Sequence, residues 1–341
     1  MADQLPSVAR FALKSWLSWR LRAVPSSRDA VHAPRLPLPH DRVKIGAVQW
    51  DATPVTHAEE WIRRVEHLFQ QAQRTHCHLV VFPEYIALSL LGVVMPQQPS
   101  AQVLTDDTIR PLLRALAPAA YRFWYRWMQW FSRRYRMVTV AGSALTVHRG
   151  RVLNVAVIFD ADGQECLSQP KWHPMEQEMR WGIQPGAGAM APPYLPWGLT
   201  AVVCHDATYF ETFRMAEAQG ARIVAVPIAD PEARYTEGKA RRGCFSRVQD
   251  VPMVGVVAAN TGQLFGVRLT GKAGIYVPAP LSPDGTGILA ESAHPLGEGL
   301  VTAVVSLAEL DAYRQQHRAR YPLPPAEFLD ALYQFDEETR A

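Results

Sequence analysis

Leu199-Thr200-Ala201-Val202-Val203-Cys204-His205-Asp206-Ala207-Thr208-Tyr209-Phe210-Glu211-Thr212-Phe213-Arg214 is the stretch on which the reading of this chain turns. Its first five residues are apolar and partly β-branched, the composition of a buried strand. A helical pattern follows from about Tyr209 to Gln219. Cys204 therefore stands at a strand-to-helix turn, where a thiol can be exposed and where N–H groups near the helix start can hold an anion. Two other charged residues end extended segments in the same way. Leu79-Val80-Val81-Phe82 stops at Pro83-Glu84, and a hairpin delivers Lys171. Taken singly, each has an ordinary explanation: a cysteine closing an apolar strand is a small buried hydrophobe, a glutamate after proline is a helix cap or solvated loop end, and a lysine is a surface residue. Together they supply a nucleophile, a base and an electrostatic stabiliser.

Working outward from Cys204, strands and helices alternate early and strands pair as hairpins later. Val43 to Gln49 reads as a strand, His57 to Arg74 as a helix, and Val138 to Gly142 and Arg151 to Phe159 as strands. Asp160-Ala161-Asp162-Gly163 is a turn that folds the chain back towards Ser168 and Lys171. Beyond Cys204 come strands at Ile223 to Pro227 and Met253 to Asn260, with a helix near Gly238 to Asp250 between them. Gly274 to Val305 reads as two or three strands, and the tail is helical around Ala326 to Phe335. This pattern predicts a mixed sheet layered with helices.

The 341 residues, 48% of them hydrophobic, suffice for one large α/β domain. Net charge is only +3, but its distribution is uneven: nine arginines lie between Arg110 and Arg151, and no Asp or Glu occurs from Thr108 to Phe159. The four cysteines show no paired spacing, so neither zinc nor a disulfide framework is expected, and free thiols fit a reducing, cytoplasmic setting. No stretch approaches the roughly 20 apolar residues that span a bilayer. Residues 1–40 read as an extension, an amphipathic helix over 7–23 with Trp16 and Trp19 on its apolar face and then a Pro-rich linker. The expected domain covers 41–310, with a helical tail at 311–341.

Between the Glu84 strand and Val138 lies a helical insertion, about 104–136, dense in aromatics from Tyr121 to Tyr135, with Arg122, Arg126 and Arg133 forming a narrow polar stripe. One reading packs it on the domain or in a subunit interface, where Trp, Tyr and Arg are enriched. The other, with the N-terminal helix, lays it on an anionic membrane. No nucleic-acid-binding fold accompanies the charge.

The run from Cys204 to Arg214, C-x-D-x-x-[aromatic]-x-E-x-x-R, resembles the nucleophile motif of the nitrilase superfamily, the carbon–nitrogen hydrolases. Phe82-Pro83-Glu84, Lys171 with His173 and Pro174, Ala259-Asn260-Thr261-Gly262 and the strand Gly271 to Pro278 resemble the family's other motifs in its order, over most of 43–305. The resemblance implies an α-β-β-α sandwich that assembles into four layers, working as a homodimer or higher homo-oligomer. It implies Cys204 as nucleophile, Glu84 as general base, and Lys171 with the His205 N–H as oxyanion stabilisers, with no metal or organic cofactor. The family often adds a second glutamate, here Glu176 or Glu178, with Glu178 preferred at seven residues past Lys171. Tyr85, Trp172, His173, His205 and Tyr209 are the candidate substrate contacts. Asp206, Glu211 and Arg214 read as structural, the last two spaced for an ion pair along the helix, and Asn260 as structural or on the pocket rim. His205, Ala273 and Gln249-Asp250 depart from the family pattern and leave the substrate subgroup open. The implied reaction is hydrolysis of an amide or carbamoyl C–N bond in a small molecule, ahead of a nitrile. N-acyl transfer at a membrane surface and a non-catalytic binding module are the alternatives.

Overall fold

The computed structural model describes residues 38–94 and 105–320 except 196, 233 and 265, together with Leu21, Pro25 and Glu327. The expected N-terminal helix, apart from Leu21, and the helix around Ala326 to Phe335, apart from Glu327, lie outside the described residues.

The strands are β1 (Arg42–Asp51), β2 (Leu79–Val81), β3 (Val138–His148), β4 (Arg151–Phe159), β5 (Glu165–Pro170), β6 (Leu199–Ala201), β7 (Ile223–Ile228), β8 (Val254–Leu264), β9 (Val267–Leu269), β10 (Gly274–Tyr276), β11 (Ile288–Glu291) and β12 (Gly299–Ser306). Hydrogen bonds run in the order β11-β10-β8-β1-β2-β3-β4-β5, with β12 against β1, β7 between β6 and β8, and β9 against β8. β1 is the hinge of this arrangement. Its residues Ile45 to Ala47 pair in parallel with β2, and Gln49 to Asp51 pair in parallel with β8. The strand path is thereby folded into two stacked halves.

Side-chain alternation fills the three spaces between layers. Val43, Ile45 and Ala47 of β1, Leu79 and Val81 of β2 and Ile158 of β4 meet Ile223 and Ala225 of β7 and Val254, Val256 and Ala258 of β8 in a core between the halves. The alternate residues face outward. Val48, Val80 and Val157 pack beneath α1 (Ala58–Arg74) and a long helix, while Val224, Val226 and Val257 pack beneath helices on the opposite side. The helices, in order, are α1, α2 (Leu91–Val94), α3 (Asp106–Tyr135), α4 (Glu176–Arg180), α5 (Phe210–Ala218), α6 (Glu237–Ala240), α7 (Ser246–Asp250) and α8 (Leu307–Arg320). The result is the expected α-β-β-α sandwich.

α3 is the aromatic insertion. Phe123, Trp124, Met128, Trp130, Phe131 and Tyr135 are buried in the core beneath it, and the Trp124 indole N–H donates to the Ala141 carbonyl of β3 at 3.0 Å. Arg122, Arg126 and Arg133 lie on the exposed face. Among the described residues no helix is long and apolar enough to cross a membrane.

Three local expectations change. The third strand continues past Gly142 to His148 because Gly142, at φ 78°, forms a bulge that brings the strand against the Pro83 carbonyl. A Cβ at this position would collide with that carbonyl. The helix expected from Gly238 to Asp250 is interrupted, since the turn Arg241–Phe245 widens and Gly243 leaves helical geometry. Arg214 pairs with Glu217 at 3.0 Å instead of Glu211, because the nearly buried Glu217 gathers Arg214, Arg314 and Arg318.

Candidate active site

Glu84, Lys171 and Cys204 arrive at one point from three strand ends. β2, β6, β7 and β8 all run in parallel and finish on the same edge, the place where open α/β sheets form their crevices. Two of the residues there adopt the left-handed region, Tyr85 at φ 57° and Cys204 at φ 49°. Non-glycine residues accept that conformation only where the surroundings impose it, commonly at sites of function. The turn at Cys204 opens onto a cavity of about 110 Å³ that His205 also lines.

Lys171 is almost wholly buried. Its ammonium donates to Glu84 Oε1 at 2.9 Å and to Glu178 Oε2 at 2.7 Å. The Glu84 carboxylate also accepts from Asn154 Nδ2 at 2.8 Å and, through Oε2, from the Ala229 N–H at 2.9 Å. Its backbone carbonyl accepts from Asn260 Nδ2. Glu178 accepts further from the Tyr85 hydroxyl and from the Met175 N–H, the latter at 2.6 Å. Glu176, by contrast, is largely exposed and pairs with Arg180 at 3.3 Å. Of the two glutamates after Lys171, Glu178 is the one in the cluster.

Burial governs the ionisation of this group. It pushes Glu84 up to about 7, with the Glu178 charge adding to the rise and Lys171 opposing it. Burial also drives the Cys204 thiol well above its ordinary range, aided by the Glu84 charge and resisted by Lys171. For Lys171 burial acts downward, but the surrounding Glu84, Cys204 and Glu178 outweigh it and hold the amine charged. The neutral pH state is thus a protonated thiol, an ammonium and a carboxyl group poised to exchange a proton.

A second cavity, of about 410 Å³, lies over Glu84, Tyr85, Lys171 and Glu178, with apolar walls that include Leu88, Ile109 and Leu269. Met175, Ala229 and Pro231 border both cavities. Among the candidate substrate contacts, Tyr85 lines the larger and His205 the smaller. Trp172, His173 and Tyr209 line neither. The Trp172 and His173 N–H groups donate to the fully buried Asp206 at 3.2 and 2.8 Å, and the His173 ring stacks on Tyr209 at 3.8 Å. Asp206 so ties the Cys204 turn to the Lys171 loop. Asn260 is buried behind Glu84, away from any rim.

Asn154 and the Ala229 N–H escape sequence reasoning. Asn154 sits mid-strand among apolar residues, and the only available signal was its inward position in the alternation of β4. A backbone N–H carries no signal in the residue type.

A model of the family described as carbon-nitrogen hydrolase matches residues 44–315. The chain is 24% identical over 289 residues to the probable hydrolase YhcX of Bacillus subtilis (strain 168), covering 82% of this chain and 52% of that protein, so it spans about half the length of that curated relative. Among solved structures it resembles a double mutant of the amidase from Nesterenkonia sp. AN1 in complex with acrylamide, at TM-score 0.60 and 20% identity, covering 85% of this chain and 100% of that one. Another mutant of that amidase, showing covalent addition of the acetamide moiety of fluoroacetamide at its active site cysteine, matches at TM-score 0.60 and 18% identity over 85% and 100% of the two chains. With the family match spanning most of the sequence and the sandwich shared with these structures, the chain belongs to the carbon-nitrogen hydrolase family.

Proposed function

We propose that this protein hydrolyses the C–N bond of a small non-peptide amide or carbamoyl compound through a Cys204 acyl-enzyme. The observation that carries the reading is the buried Lys171 ammonium held between Glu84 at 2.9 Å and Glu178 at 2.7 Å, in a cluster whose third ionisable partner is the Cys204 thiol. An amide carbonyl is a weak electrophile and the thiol is protonated, so attack requires a base and a receiver for the developing negative charge.

Glu84 takes the Cys204 proton as Sγ bonds to the carbonyl carbon, and the carbonyl electron pair moves onto oxygen. Lys171 Nζ and the His205 N–H receive that charge. Glu84 then returns the proton to the departing nitrogen as the C–N bond breaks, leaving a thioester. Water, deprotonated by Glu84, attacks the thioester, and the thiol and carboxylic acid are released. Glu178 keeps Lys171 charged and aimed throughout. A single oxyanion donor of this kind is worth about 3–4 kcal/mol.

The test is ammonia release from a panel of short primary amides. The reading expects turnover by the wild type, and in Cys204→Ala, Glu84→Gln and Lys171→Met a loss of at least about a thousandfold with the circular dichroism spectrum unchanged. Full activity in Cys204→Ala would overturn it.

A further inference from the structure

The larger cavity, of about 410 Å³, combines the catalytic cluster with hydrocarbon walls. Glu84, Tyr85, Lys171 and Glu178 are the ionisable residues that line it, and hydrogen bonds link them to one another. The Gln177 amide and the Trp181 indole N–H, also on its wall, both donate to Asp106 of α3, at 2.9 and 3.1 Å. The Gln177 side-chain oxygen accepts from Arg180 at 2.6 Å. The remaining wall is apolar and draws on three parts of the chain. Leu88 follows the turn at Glu84, Ile109 stands near the start of α3, and Leu264, Val267 and Leu269 belong to the hairpin of β8 and β9. Val267 is half-buried and the other four are buried. The smaller cavity, onto which Cys204 opens, differs in size and in character, at about 110 Å³ with Asp230, Glu232 and Lys239 on its walls.

Pockets of about 300–1,000 Å³ with mostly apolar walls and a few converging polar groups are the usual form of a small-molecule site. The state of the polar groups says what this one accepts. Its ammonium already faces two carboxyl groups, and Gln177 and Trp181 are already bonded, so a charged group entering it would lose water without gaining a partner. A hydrocarbon chain gains instead, by about fourfold in affinity for each methylene taken out of water. The smaller, charged cavity suits the departing amine and the incoming water. We propose that the larger cavity seats the acyl chain, so that the substrate class is the amide of an uncharged, apolar acid with a chain longer than acetyl. This rests on the acyl-enzyme reading and adds to it the chemistry of the acyl group. The walls that set the preference, Ile109 in the insertion and the hairpin residues 264, 267 and 269, lie between the motifs that carry the catalytic groups.

The experiment measures alkylation of Cys204 by iodoacetamide in the full-length protein, mapped on the Cys204 peptide with Cys204→Ala as the blank. The protectors are straight-chain aldehydes: acetaldehyde, butanal and hexanal. With each, Sγ bonds to the carbonyl carbon, the C=O pair moves onto oxygen and the thiol proton ends there, giving a reversible thiohemiacetal with no leaving group and no redox change. The chain then stands where the acyl chain of a substrate would. The proposal expects hexanal to protect at a concentration at least about fiftyfold lower than acetaldehyde, with butanal between them. Ile109→Asn, which puts an amide on the wall, and Val267→Trp, which fills the cavity from the half-buried hairpin, are each expected to cut that ratio at least about fivefold. The melting temperature of each variant is measured alongside, and Val267→Trp decides the matter if Ile109→Asn does not fold. Equal protection by all three aldehydes, protection by none, or a ratio unchanged in the folded variants would overturn the assignment and leave the nucleophile reading standing. A Cys204 that iodoacetamide fails to label even without aldehyde would instead overturn the nucleophile reading, and this proposal with it.

Discussion

Glu84 combines two requirements that pull in opposite directions. Burial raises its pKa from 4.5 to about 7, so the native state holds the proton more tightly than the unfolded chain does. Its contribution to stability is complete below about pH 4.5 and is lost as the pH climbs through 7, whereas the proposed base is active only once deprotonated. The expected kcat/KM profile therefore has a rising limb with its midpoint near pH 7, with no fall on the alkaline side until Lys171 titrates far above the ordinary lysine range. A limb centred near pH 4.5 would show that Glu84 is not the group being titrated. Asn154 donates to Glu84 Oε1 and so favours the charged carboxylate. Asn154→Ala is expected to move the limb to higher pH and lower the rate about tenfold, in keeping with one hydrogen bond to a charged group. An unshifted profile would reduce Asn154 to packing.

At the scale of elements, α3 carries its aromatics inward. Trp124 is fully buried and hydrogen-bonded to β3, and Trp124→Ala is expected to destabilise the protein by about 3–5 kcal/mol in denaturant unfolding. Arg126→Ala on the exposed face should change stability by no more than about 0.5 kcal/mol. Comparable effects from the two would mean that the helix does not pack as described. The same helix shows what a sequence can and cannot disclose. Its length and aromatic content were legible, but the choice between a core face and an outer face depends on what packs against it. β4 was legible from Arg151 to Phe159 because a turn signal bounds it on one side. β3 ran six residues past its expected end at Gly142, since a glycine that makes a bulge looks the same in sequence as one that stops a strand. Glu84, Lys171 and Cys204 were legible because each interrupts or ends an extended run with a group that chemistry can use. Asn154, lying within a strand, becomes visible only when distant segments meet.

At the scale of the whole molecule, the sandwich gathers the site by directing parallel strands to one edge. β2 delivers Glu84, β6 delivers Cys204, and β7 ends at the Ala229 N–H that braces Glu84. The hairpin of β4 and β5 returns Lys171 to the same edge, where its N–H bonds the Asn154 carbonyl at 2.8 Å. Buried Asp206 then locks the Cys204 turn to the loop after Lys171. The central claim is that these parts serve one covalent chemistry at Cys204. Intact-protein mass spectrometry after brief incubation with amides and acid quench tests it most directly. The account predicts that the wild type gains the mass of the acyl group, mapped to the Cys204 peptide, and that Cys204→Ala gains none. An adduct mapped to another residue, or wild-type turnover matched by Cys204→Ala with no adduct on either, would contradict it.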